Sequence, residues 1–188
     1  EAFDREQPDI RMLVNSAGFG KSGTVTAIAE ESFRSQPDMV DLNCRALTRM
    51  TLLCLPRMSR GSRIVNLASA AAFCPQPFFA VYAATKSYVL SFSRALRAEL
   101  SVRGILVTAV CPGPVDTEFF DVSGRTDNPW KKWTMAKASK VVHRALKDSR
   151  AGKELSIYGF PMKAAYLGTV LIPHRVIMEL MTAAGGQS

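Results

Sequence analysis

The sequence predicts an α/β domain: a parallel sheet with helices on both faces. Three observations carry this. Short apolar runs, several rich in β-branched residues, recur at Ile10–Asn15, Ser62–Ala68, Ile105–Val110 and Glu154–Tyr158. Longer segments with apolar residues at helical spacing lie between them. Glycine and proline punctuate the junctions. Strands that alternate with helices place crossovers over a parallel sheet and bury it on both sides.

Each element has its own reason. Ile10–Asn15 is apolar and ends in Ser-Ala-Gly, a strand followed by a loop. From Ser35 to Met58, the residues Met39, Val40, Leu42, Ala46, Leu47, Met50, Leu53 and Cys54 repeat with helical period. Pro37 fits only the first turn of that helix. Phe78–Leu100 is a long helix, and Gly104 separates it from the strand Ile105–Val110. Pro112-Gly113-Pro114 stops that strand. Asp121–Trp133, polar with glycine and proline, reads as a mobile loop. Ala136–Lys147 reads as a helix, and Met162–Ala184 as a helical stretch broken at Pro173.

Composition narrows the function classes. The chain has 188 residues, 47% hydrophobic and 21% charged, which is globular rather than disordered. Residues 1–188 read as one domain. No apolar run approaches the ~20 residues that span a bilayer, and the acidic, polar start at Glu1–Asp9 does not resemble a secretory leader. The four cysteines (Cys44, Cys54, Cys74, Cys111) have no metal or redox spacing and read as buried thiols of a cytoplasmic protein. The net charge is +8, but the basic residues are scattered without interleaved aromatics. That argues against nucleic acid and suits an anionic cofactor or substrate.

Two glycine-rich readings fail on context. Asn15-Ser-Ala-Gly-Phe-Gly-Lys-Ser22 nearly spells a P-loop, but it has Asn15 where glycine or alanine is required. Gly18, Gly20 and Gly23 match a dinucleotide fingerprint in spacing. The acidic residues ~20 positions on, Asp38 and Asp41, fall in a helix rather than at a strand end. Glycines in a strand-to-helix turn are the plainer reading.

The candidate chemistry centres on Tyr82-Ala83-Ala84-Thr85-Lys86. Positions i and i+4 share a helix face. An ammonium beside a phenol favours the phenolate and is expected to lower the Tyr82 pKa. Around this pair stand Asn15-Ser16-Ala17-Gly18 after the first strand, Asn43 in the first long helix, Ser69 after the second strand, and Pro112-Gly113-Pro114-Val115-Asp116-Thr117 after the third. Tyr82 and Lys86 follow Ser69 by thirteen and seventeen positions. Each residue alone has a plainer role: Ser69 in an ST-turn, Asn43 as a buried polar group, Pro112-Gly113 as a turn. His143 and His174 have no nucleophile or metal partner in the pattern.

In this order and spacing, the set resembles the short-chain dehydrogenase/reductase family along essentially the whole chain. Its C-terminal part is similar to bacterial 3-oxoacyl reductases and 17β-hydroxysteroid dehydrogenases. The resemblance implies a Rossmann-like doubly wound parallel sheet. It also implies NADP as cofactor, with NAD possible, and interconversion of a ketone and a secondary alcohol. Tyr82 is then the proton donor or acceptor. Lys86 lowers its pKa and bonds the nicotinamide ribose. Ser69 polarises the carbonyl, and Asn43 holds a relay water. Asn15, Ala17 and Gly18 pass beneath the riboses. Pro112, Gly113, Val115 and Thr117 hold the nicotinamide. Phe73, Phe78, Phe79, Phe119, Phe120 and Trp130 line an apolar substrate pocket, and the two long helices pair protomers into a homo-oligomer.

The family's glycine-rich TGxxxGxG turn has no counterpart here. The expectation is therefore a sheet lacking its first three strands, the C-terminal part of a Rossmann domain, with its first strand left as an edge. A non-catalytic binding relic without the pyrophosphate site is the alternative.

Overall fold

The computed structural model describes residues 5–117, 119, 123 and 135–185. The main sheet holds β1 (Met12–Asn15), β2 (Arg63–Leu67), β3 (Leu106–Val110) and β6 (Leu155–Ser156), in the order β1-β2-β3-β6. All three pairings are parallel. All four strands therefore finish on one edge of the sheet, and β1 is a terminal strand of it. A separate two-residue parallel pair joins β4 (Val115–Asp116) to β5 (Ala136–Lys137).

Side-chain alternation sorts the two faces. Leu13 pairs with Ile64, and both pack with Cys54, Met58, Leu96, Leu100 and Val107. On this face lie the helix built from α2 (Ser35–Val40), a π-helical turn at Asp41–Ala46 and α3 (Leu47–Cys54), together with α4 (Ala80–Leu100). One position along, Val65 points the other way and packs with Val110 and with Ala145 of α5 (Ala138–Arg150). Val14, paired with Val65, shares that second face and is 53% exposed. The Arg11 guanidinium before it is paired with Asp9 at 2.8 Å.

The four main strands and both long helices stand where the sequence puts them, with trimmed ends. Phe78 takes φ 62°, outside the helical region, so α4 starts at Ala80 rather than Phe78. Gly104 closes α4 with φ 66°, which favours glycine. Ala136 and Lys137 form β5 rather than the start of a helix. The C-terminal stretch is α6 (Phe160–Leu171) and α7 (His174–Gly185), divided at Ile172-Pro173. One helix is absent from the sequence reading, α1 (Val25–Ser32). Thr24 caps it by accepting from the Ala27 N–H at 3.2 Å. Apart from Ser123, the predicted loop Asp121–Trp133 lies outside the described residues, as do Phe120 and Trp130.

Candidate active site

The site assembles where the strands end. Ser69 follows β2 in extended conformation (φ −168°, ψ 160°) and caps a short 3-10 turn, Ala70–Phe73. Its Oγ accepts from the Ala71 N–H at 3.1 Å. The next amide, Ala70 N–H, donates to the Pro112 carbonyl at 2.8 Å, which fixes the turn after β2 to the loop after β3.

Tyr82 sits in the first turn of α4 and is buried. Its ring stacks on Phe79 at 4.3 Å and tilts against Phe119 at 5.4 Å. Burial pushes the phenol up to about 12, while the bond to the Ser69 hydroxyl pulls it down. Lys86, one turn on, is also buried. Its Nζ donates to the Leu67 carbonyl at 2.9 Å and lies 5.6 Å from the centre of the Tyr82 ring. Burial lowers its pKa to about 8.

These values correct one expectation. The i, i+4 spacing predicts a phenol acidified by its ammonium neighbour. The ammonium instead lies over the ring, and loss of hydration dominates both groups. Tyr82 is held in its neutral form by burial.

Asn43 lies in the π-helical turn, an irregularity common at functional sites. It is 1% exposed, and its amide makes three hydrogen bonds. Nδ2 donates to the Phe19 carbonyl at 2.9 Å and to Thr85 Oγ1 at 3.0 Å. Oδ1 accepts from the Phe19 N–H at 3.1 Å. Thr85 Oγ1 donates in turn to the Tyr82 carbonyl at 2.8 Å. The amide thus ties the loop after β1 to the helix that carries Tyr82 and Lys86. A Cβ on Gly18 would come within 2.8 Å of Asn43 Oδ1 and 3.4 Å of Lys86 Nζ. The first need for glycine here is therefore contact with Asn43.

The Asn15 side chain, at the end of β1, bonds within the protein. Its Nδ2 donates to Asn66 Oδ1 at 2.8 Å and Thr51 Oγ1 at 3.1 Å, and Asn66 donates to Ser93 Oγ at 2.9 Å. The side chain is turned into a buried polar network under the sheet. Ala17 stands exposed on the loop. On the far side, Gly113 packs so tightly that a Cβ would collide with Met162 Sδ. Val115 lies in β4, and Thr117 accepts from the Phe119 N–H at 3.4 Å. His143 and His174 are both exposed.

The structure thus brings Asn43, Ser69, Tyr82 and Lys86 into one cluster, with Gly18 beside Asn43 and Lys86. Sequence reasoning missed Thr85, which lies inside the Tyr82–Lys86 interval, and the backbone of Phe19. No group of metal-ligating side chains occurs among the described residues, nor a helix long and apolar enough to cross a membrane.

Known proteins resemble this chain over most of its length. The family model for short chain dehydrogenases matches residues 1–153. Very-long-chain 3-oxoacyl-CoA reductase of Anas platyrhynchos is 36% identical over 124 residues, covering 61% of this chain and 38% of the relative. Very-long-chain 3-oxoacyl-CoA reductase-A of Danio rerio is 28% identical over 183 residues, 92% of this chain and 53% of the relative. A short-chain dehydrogenase from Sphingobium yanoikuyae, solved in complex with NADPH, superposes with a TM-score of 0.74 at 26% identity. It covers 96% of this chain and 69% of that one. The chain belongs to the short chain dehydrogenase family. It spans about half the length, or less, of these two curated relatives.

Proposed function

We propose that this chain carries the catalytic end of an NAD(P)-dependent oxidoreductase that interconverts a ketone and a secondary alcohol. The observation that carries this reading is the pairing of a buried, protonated Tyr82 with Ser69 at the C-terminal edge of a parallel sheet. Ligand crevices of such sheets open there.

A carbonyl that gains electron density needs hydrogen-bond donors already aimed at its oxygen and a proton to finish the reaction. Ser69 supplies a hydroxyl donor, and Tyr82 a donor that can also release its proton to that oxygen. Phe79 and Phe119 exclude water from the ring of Tyr82. Lys86 uses one of its three N–H donors on Leu67 and keeps two for ligand hydroxyls. Those donors, beside the loop at Ala17-Gly18, fit the ribose of a nicotinamide cofactor, which when bound supplies or takes up the hydride. Asn43 acts here by fixing the Phe19 backbone against Thr85, which sets the loop relative to Tyr82.

The substrate reading is a 3-oxoacyl thioester or another apolar carbonyl. The 3-oxoacyl reductases among its relatives and the apolar rings of Phe73, Phe79 and Phe119 support it. The test uses the longest reading frame that contains this chain. Tyr82→Phe is expected to lower turnover of NADPH with a 3-oxoacyl thioester at least about 100-fold, the scale of one general acid. NADPH affinity should stay within a few-fold. Turnover retained in the Phe variant would remove Tyr82 from the reaction.

A further inference from the structure

The match to the short chain dehydrogenase family stops at Lys153, and α6 lies beyond it. The helix nevertheless reaches the site. Met162 is its buried residue, and Tyr166 follows one turn on, so the two share a face. Both pack into the cluster that holds Ala72, Phe73, Ala109 and Cys111. The opposite face is exposed at Phe160, Leu167 and Leu171. The two inner residues end on different turns of the site. The Met162 side chain closes over Gly113, where an added Cβ would come within 2.8 Å of Met162 Cγ. The Tyr166 ring tilts onto Phe73, with centroids 4.8 Å apart and planes at 57°. Phe73 ends the 3-10 turn that Ser69 caps. Arg94 of α4 donates to the Tyr166 hydroxyl at 3.1 Å and to Glu154 at 2.7 Å. Tyr166 is thereby tied to the helix that carries Tyr82 and Lys86.

We propose that Met162 and Tyr166 are positioning residues: from one face of α6, Met162 sets the Gly113 turn and Tyr166 sets the turn that carries Ser69. The inference rests on the oxidoreductase reading above, in which the first turn faces the nicotinamide and the second the carbonyl. The Ala70 N–H joins the two turns through the Pro112 carbonyl at 2.8 Å. That bond fixes their separation at one point, and α6 supplies two further points of contact. A close-packed interior transmits the position of the helix to both turns. A group misplaced by about 1 Å can cost about a hundredfold in rate, so the seating of these two side chains bears on the chemistry.

The glycine at position 113 follows from this contact. Its φ lies outside the left-handed region, so the backbone there accepts alanine. What stands in the way of a methyl group is Met162. Met162 is itself buried, and a buried side chain moves only by repacking its neighbours. Those neighbours include Phe73 and Cys111, the residue before Pro112. A methyl group on Gly113 would therefore disturb both turns through the helix.

The test uses the longest reading frame that contains this chain. NADPH binding is followed by nucleotide fluorescence, kcat with a 3-oxoacyl thioester at saturating NADPH, and folding by the thermal midpoint. Met162→Ala should weaken NADPH binding about tenfold, whereas Tyr166→Ala should lower kcat about tenfold and leave NADPH affinity within about threefold. Met162→Leu keeps the packed volume and Tyr166→Phe keeps the ring, so both should stay within about twofold of wild type in affinity and kcat. Gly113→Ala should weaken NADPH binding about tenfold. Combined with Met162→Ala it should bind NADPH more tightly than either single variant, because the new methyl group takes the space the thioether left. Where an alanine variant at 162 or 166 does not fold, Met162→Val and Tyr166→Leu carry the same comparisons. An equal cost of Gly113→Ala in the wild-type and Met162→Ala backgrounds would overturn the assignment. Lower midpoints with unchanged affinity and kcat would do the same, leaving the contacts structural only. So would equal changes of affinity and kcat in both alanine variants. Wild type that binds NADPH but reduces no thioester would strike the oxidoreductase reading alone, since the Gly113 and Met162 comparison is read on binding. Wild type that binds no NADPH would remove both.

Discussion

At the residue scale, the site is governed by burial. Tyr82 is held protonated with a pKa of about 12, and Lys86 is lowered to about 8. The second value has a consequence for stability that needs no substrate. A lysine whose folded pKa lies below its ordinary value near 10.5 loses its proton earlier in the folded state. The unfolded chain then binds more protons between about pH 8 and 10.5, so stability rises with pH in that window. The contribution is full above the ordinary value and disappears as pH falls through about 8. Tyr82 acts oppositely: its stabilisation is full below its ordinary value near 10 and is lost as pH rises through about 12. Urea midpoints of wild type and Lys86→Met at pH 7.5, 8.5 and 9.5 should diverge, with only wild type gaining as pH rises. Parallel curves would place Lys86 in water. The sequence made the residues of this cluster legible because motif order survives without knowledge of packing. It did not make the protonation of Tyr82 legible, since that depends on Phe79 and Phe119 closing over the ring. Nor did it reveal that the Asn15 amide turns toward Asn66, because a strand sequence does not state what lies beneath it.

At the scale of elements, the apolar runs predicted the strands well because every main strand packs apolar side chains against the core on at least one face. What escaped were features set by hydrogen bonding: α1, whose Val25 and Thr26 disguise a Thr24-capped helix, the π-helical turn, and the two-residue strands β4 and β5. The Asn43 amide ties the π-helical turn to the Phe19 backbone and to Thr85. Asn43→Ala should leave the Phe19 amide and carbonyl without their partner and cost about 1–3 kcal/mol, read from chemical unfolding. A smaller loss would mean that another group replaces the amide. The junction of α5 and β6 makes a different prediction. Burial raises the Asp148 carboxyl, but the bonds from Arg144, Lys153 and Ser156 outweigh it, and the net shift is downward. That stabilisation is present above the ordinary carboxylate value and is lost as pH falls from there through the lowered folded value. Asp148→Asn should therefore be less stable than wild type at pH 7, with the gap in urea midpoint narrowing by pH 3. A gap independent of pH would assign the loss to packing rather than charge.

At the scale of the molecule, the decisive feature is the free side of β1. The strand pairs only with β2 among the described strands, and Met12 and Val14 stand 39% and 53% exposed. An apolar edge with unpaired backbone groups is a template for association. Its one flanking charge, Arg11, is already paired with Asp9. The pleat gives a sharp test, because neighbouring residues face opposite ways. Val14→Lys places a charge on the open face and should raise the monomer fraction of residues 1–188 in sedimentation, with little change in thermal midpoint. Leu13→Lys places the same charge against Ile64 and Leu96 and should unfold the chain. In a longer reading frame, a strand paired beside β1 together with a crossover helix on this face would bury Val14. There the sign for Val14→Lys should reverse, with stability lost and no gain in monomer. If residues 1–188 are monomeric without substitution and Val14→Lys lowers the thermal midpoint equally in both contexts, β1 is not an edge waiting for a partner.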